Sequence, residues 1–148
     1  PGTGDTQLTL AQKIPVSGAV VLTTPQTVAC LDAAKGISMF EKVNISVLGV
    51  IENMSEYVCT ACGQHATIFG EGGGQALAES FQLPLLGQIP LNPKIRAQAD
   101  QGEPMVSAAP DSEMSQCYRD IALRLSARLS LQAKNYQSQF PNVAVEGL

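Results

Sequence analysis

Three short apolar runs punctuate this chain, each followed by a stretch with helical periodicity. The first, Gly18 to Thr24, carries no charge, as in strands buried on both faces of a parallel sheet. Thr24 and Pro25 then read as N-cap and first helical residue. They open a helix through Val28, Leu31 and Phe40 to Lys42, with Gly36 a weak point in its middle. Ser46 to Glu52 is the second buried run and Leu85 to Ile89 the third. Between them lies a loop from Asn53 to Gly74, holding two cysteines and a glycine cluster, that leads into a short helix over Gln75 to Phe81. Asn92 and Pro93 repeat the cap-and-proline start for a helix that Gly102 ends. After Pro110, Asp111 is the expected N-cap of a last helix, on which Met114, Tyr118, Ile121, Leu125 and Leu129 share one face. Thr6 to Lys13 has helical composition, whereas Asn135 to Leu148 is polar and weakly patterned, a flexible tail beyond a domain spanning 1–134.

Strand and helix alternate without internal repeat, which predicts an α/β fold: a parallel sheet with flanking helices and right-handed crossovers. Only three strands are legible, where doubly wound sheets usually have about five or six. A partial sheet with an unpaired edge is therefore expected. The turn-rich opening Pro1-Gly2-Thr3-Gly4-Asp5 reads as the middle of a longer protein.

Composition narrows the function classes. The 148 residues are 45% hydrophobic and 15% charged, as in an ordinary globular domain. A net charge of −4 argues against a nucleic-acid surface, and no apolar run approaches membrane-span length, so neither partner is expected. Four irregularly spaced cysteines do not form a secreted disulfide framework and fit a reducing cytoplasm.

The candidate chemistry centres on Cys59-Thr-Ala-Cys62-Gly63. Two thiolates at this spacing reach one metal centre, but zinc or an iron–sulfur cluster usually takes four ligands. There is no second C-x-x-C, so other residues or a second copy of the chain complete the site. Three readings stay open: a structural zinc knuckle with His65 as third ligand, an iron–sulfur site, or a redox dithiol lacking the usual strand-to-helix context. Cys30 and Cys117 fall within helical patterns and read as small buried hydrophobes. Gly70 to Gly74 is either a positive-φ turn into a helix or an anion nest. Arg119, Arg124 and Arg128 read as a solvated helix face, and Asp5 as a helix cap or a switch contact.

Several motifs in a fixed order carry a resemblance. Pro1-Gly-Thr-Gly-Asp5, Thr23-Thr-Pro-Gln26, Glu52-Asn-Met-Ser55, Cys59-x-x-Cys62-Gly63, Phe69-Gly-x-Gly-Gly and Pro84-Leu-Leu-Gly-Gln-Ile-Pro-Leu91 together resemble the Mrp/ApbC family over roughly residues 1–130. These are P-loop ATPases of the MinD/ParA-like (SIMIBI) class that bind and transfer iron–sulfur clusters. The resemblance implies that this chain corresponds to the C-terminal part of such a domain. Gly2 and Gly4 would belong to a switch facing the γ-phosphate, Asn53 would lie near the adenine, and Pro90 and Leu91 would cover the base. ATP and Mg belong to the intact protein. The Walker A loop is absent from this sequence, so the chain alone is not expected to hydrolyse ATP. The resemblance further implies a homodimer in which Cys59 and Cys62 of each copy hold one [4Fe–4S] cluster, destined for apo iron–sulfur proteins.

Overall fold

The central strand shows how this sequence builds its layers. Along it, Val50 faces a cluster with Val21, Ile37, Leu77 and Ala78, while Ile51 faces another with Leu86, Ile89 and Ile121. Successive side chains of a strand point to opposite faces, so a continuous apolar run must be covered on both. The computed structural model describes residues 4, 6, 9, 13–59 and 61–132. Their order is β1 (Ala19–Thr23), α1 (Thr27–Lys42), β2 (Val47–Val58), β3 (His65–Ala66), α2 (Gly73–Ser80), β4 (Leu85–Leu91), α3 (Pro93–Asp100), α4 (Met105–Ala108) and α5 (Glu113–Ser130). Helices α1 and α2 cover one face of the sheet and α5 the other.

β2 is the hub. β1 pairs with it in parallel along one edge, from Ala19↔Val47 to Thr23↔Glu52, and β4 pairs in parallel along the other. Tyr57 is in register with both Ala66 and Leu91, so β3 runs antiparallel on the β1 side, beyond the end of β1. The register slips at Leu86, between Val50↔Leu85 and Ile51↔Gly87. A bulge there lets Leu86, Gly87 and Ile89 all address α5. Gly87 is the contact point: an added Cβ would lie 2.4 Å from Ile121 Cγ1. Among the described residues β1 has no partner on its outer edge, and Leu22 on it is 58% exposed.

The parallel α/β architecture and its open edge match the expectation; several boundaries do not. β2 continues six residues past Glu52, because Tyr57 and Val58 gain ladder partners in β3 and β4 that the local pattern does not announce. The sheet accordingly has four strands rather than three. Thr24 does not cap α1. Helical geometry starts at Thr27 after Gln26, while Thr24 Oγ1 donates to Gln26 Oε1 (2.7 Å). Asp111 is likewise not the cap of α5; Ser112 is, its Oγ accepting from Ser115 N–H (3.2 Å). Leu129 is 44% exposed, so the apolar face of α5 ends at Leu125. Asn92 does cap α3, accepting from Lys94 N–H (2.9 Å), and Gly102 follows that helix at φ +75°. Of the expected helix over Thr6 to Lys13, Thr6, Thr9 and Lys13 are helical; its other residues and the tail lie outside the described residues.

Candidate functional site

The cysteines sit at the tip of a β-hairpin. β2 carries the chain up to Val58, β3 returns it from His65, and the turn between is closed by two backbone bonds. Cys59 N–H donates to Gln64 O (2.9 Å) and Gly63 N–H to Cys59 O (2.8 Å), with Gly63 at φ +71°. That left-handed conformation suits glycine and places it directly after the second cysteine. Cys59 is half-buried and Cys62 exposed. The backbone N–H of Ala61, then that of Cys62, then the Cys62 thiol, all favour a charged sulfur and hold the Cys59 thiol below its ordinary range. Amide donors aimed at sulfur are what a metal-bound thiolate uses.

His65 does not join the cysteines. It pairs with Val58 across the hairpin, and its Nδ1 meets Glu56 Oε2 at 2.8 Å. Among the described residues, no group of three or more His, Cys, Asp or Glu side chains is arranged to hold a metal. The other two cysteines are also apart. Cys30 Sγ donates to Thr24 O (3.4 Å), and Cys117 Sγ donates to Gln88 O (3.2 Å). Burial, then the charge of Asp120, push the Cys117 thiol up.

Of the residues assigned to the nucleotide, Pro90 and Leu91 end β4, and Asn53 lies on β2 just past the last pair with β1, near the strand ends where open α/β sheets bind ligands. Asn53 is in register with Ile89, which puts Pro90 beside it across the ladder. Asn53 also lines a cleft of about 420 Å³ between β1 and α1, with Thr23, Thr24, Asp32 and Phe40. Its Oδ1 accepts from Met54 N–H (2.9 Å), and Met54 has φ +56°, an uncommon conformation for a long side chain. The ladder skips there, from Asn53↔Ile89 to Tyr57↔Leu91. Gly4 is half-buried in a bend, whereas Gly2 and Asp5 lie outside the described residues.

The glycine cluster resolves differently from either expectation alone. Gly70 and Gly72 have φ +95° and +70°, as a turn into a helix requires. One N–H of the cluster, that of Gly74, is taken by an internal side chain. Glu52 is 1% exposed, its Oε2 accepts from Gly74 N–H (2.5 Å), and its Oε1 accepts from Gln88 Nε2 (2.7 Å). Sequence reasoning left Glu52 as the end of a strand. The available signal is its place at the end of an apolar run, Leu48 to Ile51, of the kind buried on both faces, where a carboxyl group needs a partner. Two of the α5 arginines do more than face solvent: Arg119 donates to Pro110 O (2.6 Å) and Arg124 to Leu86 O (3.0 Å), while Arg128 is exposed as expected.

Known proteins resemble this chain along the same stretch. The family described as ParA, NUBPL iron-transfer P-loop NTPase, matches residues 1–126. The iron-sulfur cluster carrier protein of Escherichia coli (strain K12) is 54% identical over 134 residues, covering 90% of this chain and 36% of that protein. The mouse (Mus musculus) iron-sulfur cluster transfer protein NUBPL is 46% identical over 129 residues, covering 87% and 40%. Among solved structures, a nucleotide-binding protein from Archaeoglobus fulgidus in complex with ADP superposes with a TM-score of 0.65 at 32% identity. It covers 78% of this chain and 46% of that one. MinD from Pyrococcus horikoshii, at 24% identity and a TM-score of 0.61, shows the same fold. The chain thus spans less than half the length of the relatives it matches. The described residues have the α/β architecture of MinD-like P-loop NTPases, and the chain belongs to the iron-transfer P-loop NTPase family of the ParA class.

Proposed function

We propose that this chain is the cluster-holding part of a cytoplasmic iron–sulfur carrier. Cys59 and Cys62 supply two ligands to a [4Fe–4S] cluster, and the same pair from a second copy supplies the other two. The observation that carries this reading is the exposed hairpin tip, where the Cys59 sulfur has amide donors but the described residues offer no third ligand. A two-fold contact presents one patch twice, so two thiolates become four without further residues. A cluster bridging two hairpin tips is also accessible, which suits release to an apo-protein. The relatives' names, iron-sulfur cluster carrier and transfer protein, agree with cargo of this kind.

Asn53, Pro90 and Leu91 form one wall for a nucleotide whose phosphates and Mg are handled by parts outside this sequence, with Gly2 and Gly4 in the switch. The ADP complex of the Archaeoglobus fulgidus relative supports nucleotide binding in this fold. ATP binding in the intact protein would then change the dimer contact and the distance between cysteine pairs.

The test is iron, zinc and acid-labile sulfide content after anaerobic reconstitution, beside Cys59→Ser/Cys62→Ser. About four iron and four sulfide per dimer, lost in the variant, is the expected result. Zinc without sulfide, at about one per dimer, would replace the carrier reading with a structural knuckle.

A further inference from the structure

Both legs of the cysteine hairpin lead back to one buried side chain. Glu52 lies on β2, on the leg leading up to Cys59. The return leg leaves β3, turns through Gly70 and Gly72, and enters α2 at Gly73 and Gly74, where the Gly74 N–H meets the Glu52 carboxylate. The approach is as close as backbone allows. A Cβ on Gly74 would lie 2.7 Å from Glu52 Cβ, and one on Gly73 would lie 2.2 Å from Pro25 O. The other carboxylate oxygen takes the Gln88 amide, two residues before Pro90 on β4.

We propose that Glu52 is a positioning residue. It pins the return leg of the cysteine hairpin to β2 and ties both to the strand end that carries Pro90 and Leu91. Hairpin base and nucleotide wall are thereby held as one body, next to Asn53. The carboxylate accepts two hydrogen bonds from neutral donors, and a side chain without acceptors would leave the Gly74 N–H unsatisfied. The consequence for cluster release rests on the carrier reading; the effect on the hairpin does not.

The experiment compares Glu52→Met with Glu52→Gln in the full chain, first without metal, by amide hydrogen exchange. Glutamine can still accept from Gly74 and pair with a reoriented Gln88 amide, whereas methionine keeps the length and loses both acceptors. In Glu52→Met, the Gly74, Ala76 and Cys59 amides should exchange about tenfold faster. Val50 N–H, bonded to Pro84 O, should keep its wild-type rate, and Glu52→Gln should restore all of them. Equal loosening of Val50 would mean a general loss of stability and overturn the proposal. So would an unchanged hairpin, or Glu52→Gln as damaged as Glu52→Met. If Glu52→Met does not fold, Gln88→Leu is read instead. Faster exchange confined to the β2–β4 strand ends and Gly74 supports the tie, and wild-type rates there refute it.

The second readout is cluster loss to a chelator after reconstitution. Glu52→Met should release iron about tenfold faster than wild type, with Glu52→Gln near wild type. Wild-type protein that never loads iron would sink the carrier reading and leave the exchange result standing. Loaded protein that releases iron at the same rate in all three forms would sink the positioning role.

Discussion

Replacing Gly74 with alanine separates two opposing effects of known sign. Gly74 is the second residue of α2, and its φ lies outside the left-handed region. An alanine at an ordinary helical position stabilises by about 0.5–1 kcal/mol over glycine. Here the new Cβ would stand 2.7 Å from Glu52 Cβ and 2.9 Å from Glu52 Oε2. Glu52 is fully buried and held from both sides by hydrogen bonds, so it has little room to retreat. Overpacking of this kind costs about 1–3 kcal/mol, and turning the carboxylate away would cost about 1–3 kcal/mol more in lost hydrogen bonding. The expected net effect is a destabilisation of about 2 kcal/mol. At a urea m-value of about 2 kcal/mol/M, the unfolding midpoint should fall by about 1 M. A midpoint at or above wild type would refute the close approach of α2 to Glu52.

Further outcomes follow from other contacts. Gly87→Ala should cost about 1–3 kcal/mol through its clash with Ile121, and Ile121→Ala about 2–5 kcal/mol through the cavity it leaves. The double variant should lose clearly less than the sum, and strict additivity in urea unfolding would argue against that contact. Ser112→Ala should cost about 1 kcal/mol as the true cap of α5, and Asp111→Ala close to nothing; thermal melts that reverse this order would restore Asp111 as the cap. Thiol alkylation should discriminate the cysteines by pH. The Cys59 thiolate, favoured by amide donors, persists as pH falls below the ordinary thiol range, whereas half-buried Cys117, raised by desolvation and by Asp120, stays protonated as pH rises through it. Iodoacetamide near neutral pH should therefore label Cys59 before Cys117, as read by peptide mass spectrometry. The opposite order would remove the basis for an activated sulfur.

The sequence by itself determined the layer architecture, because apolar runs of strand length alternating with helical periodicity leave few ways to bury both. It also determined the candidate metal ligands, since C-x-x-C-G needs only local spacing to put two sulfurs on one turn. The open edge of β1 was legible from the small number of strands. What only the tertiary structure decided depends on partners far along the chain. β2 runs on to Val58 because β3 and β4 supply its ladder, and no propensity in Asn53 to Tyr57 foretells that. The caps moved by one or two residues: Gln26 precedes α1 with no side-chain cap bond, and at α5 the settled backbone puts Ser112 rather than Asp111 where its Oγ accepts from Ser115 N–H. His65 stands near the cysteines in sequence, yet cross-strand pairing gives it to Glu56. Glu52 is the clearest case: its charge reads as a strand terminus until Gly74, 22 residues on, and Gln88, 36 residues on, arrive at its two oxygens. A buried carboxylate's role is set by which donors reach it, and that is a property of the packed fold.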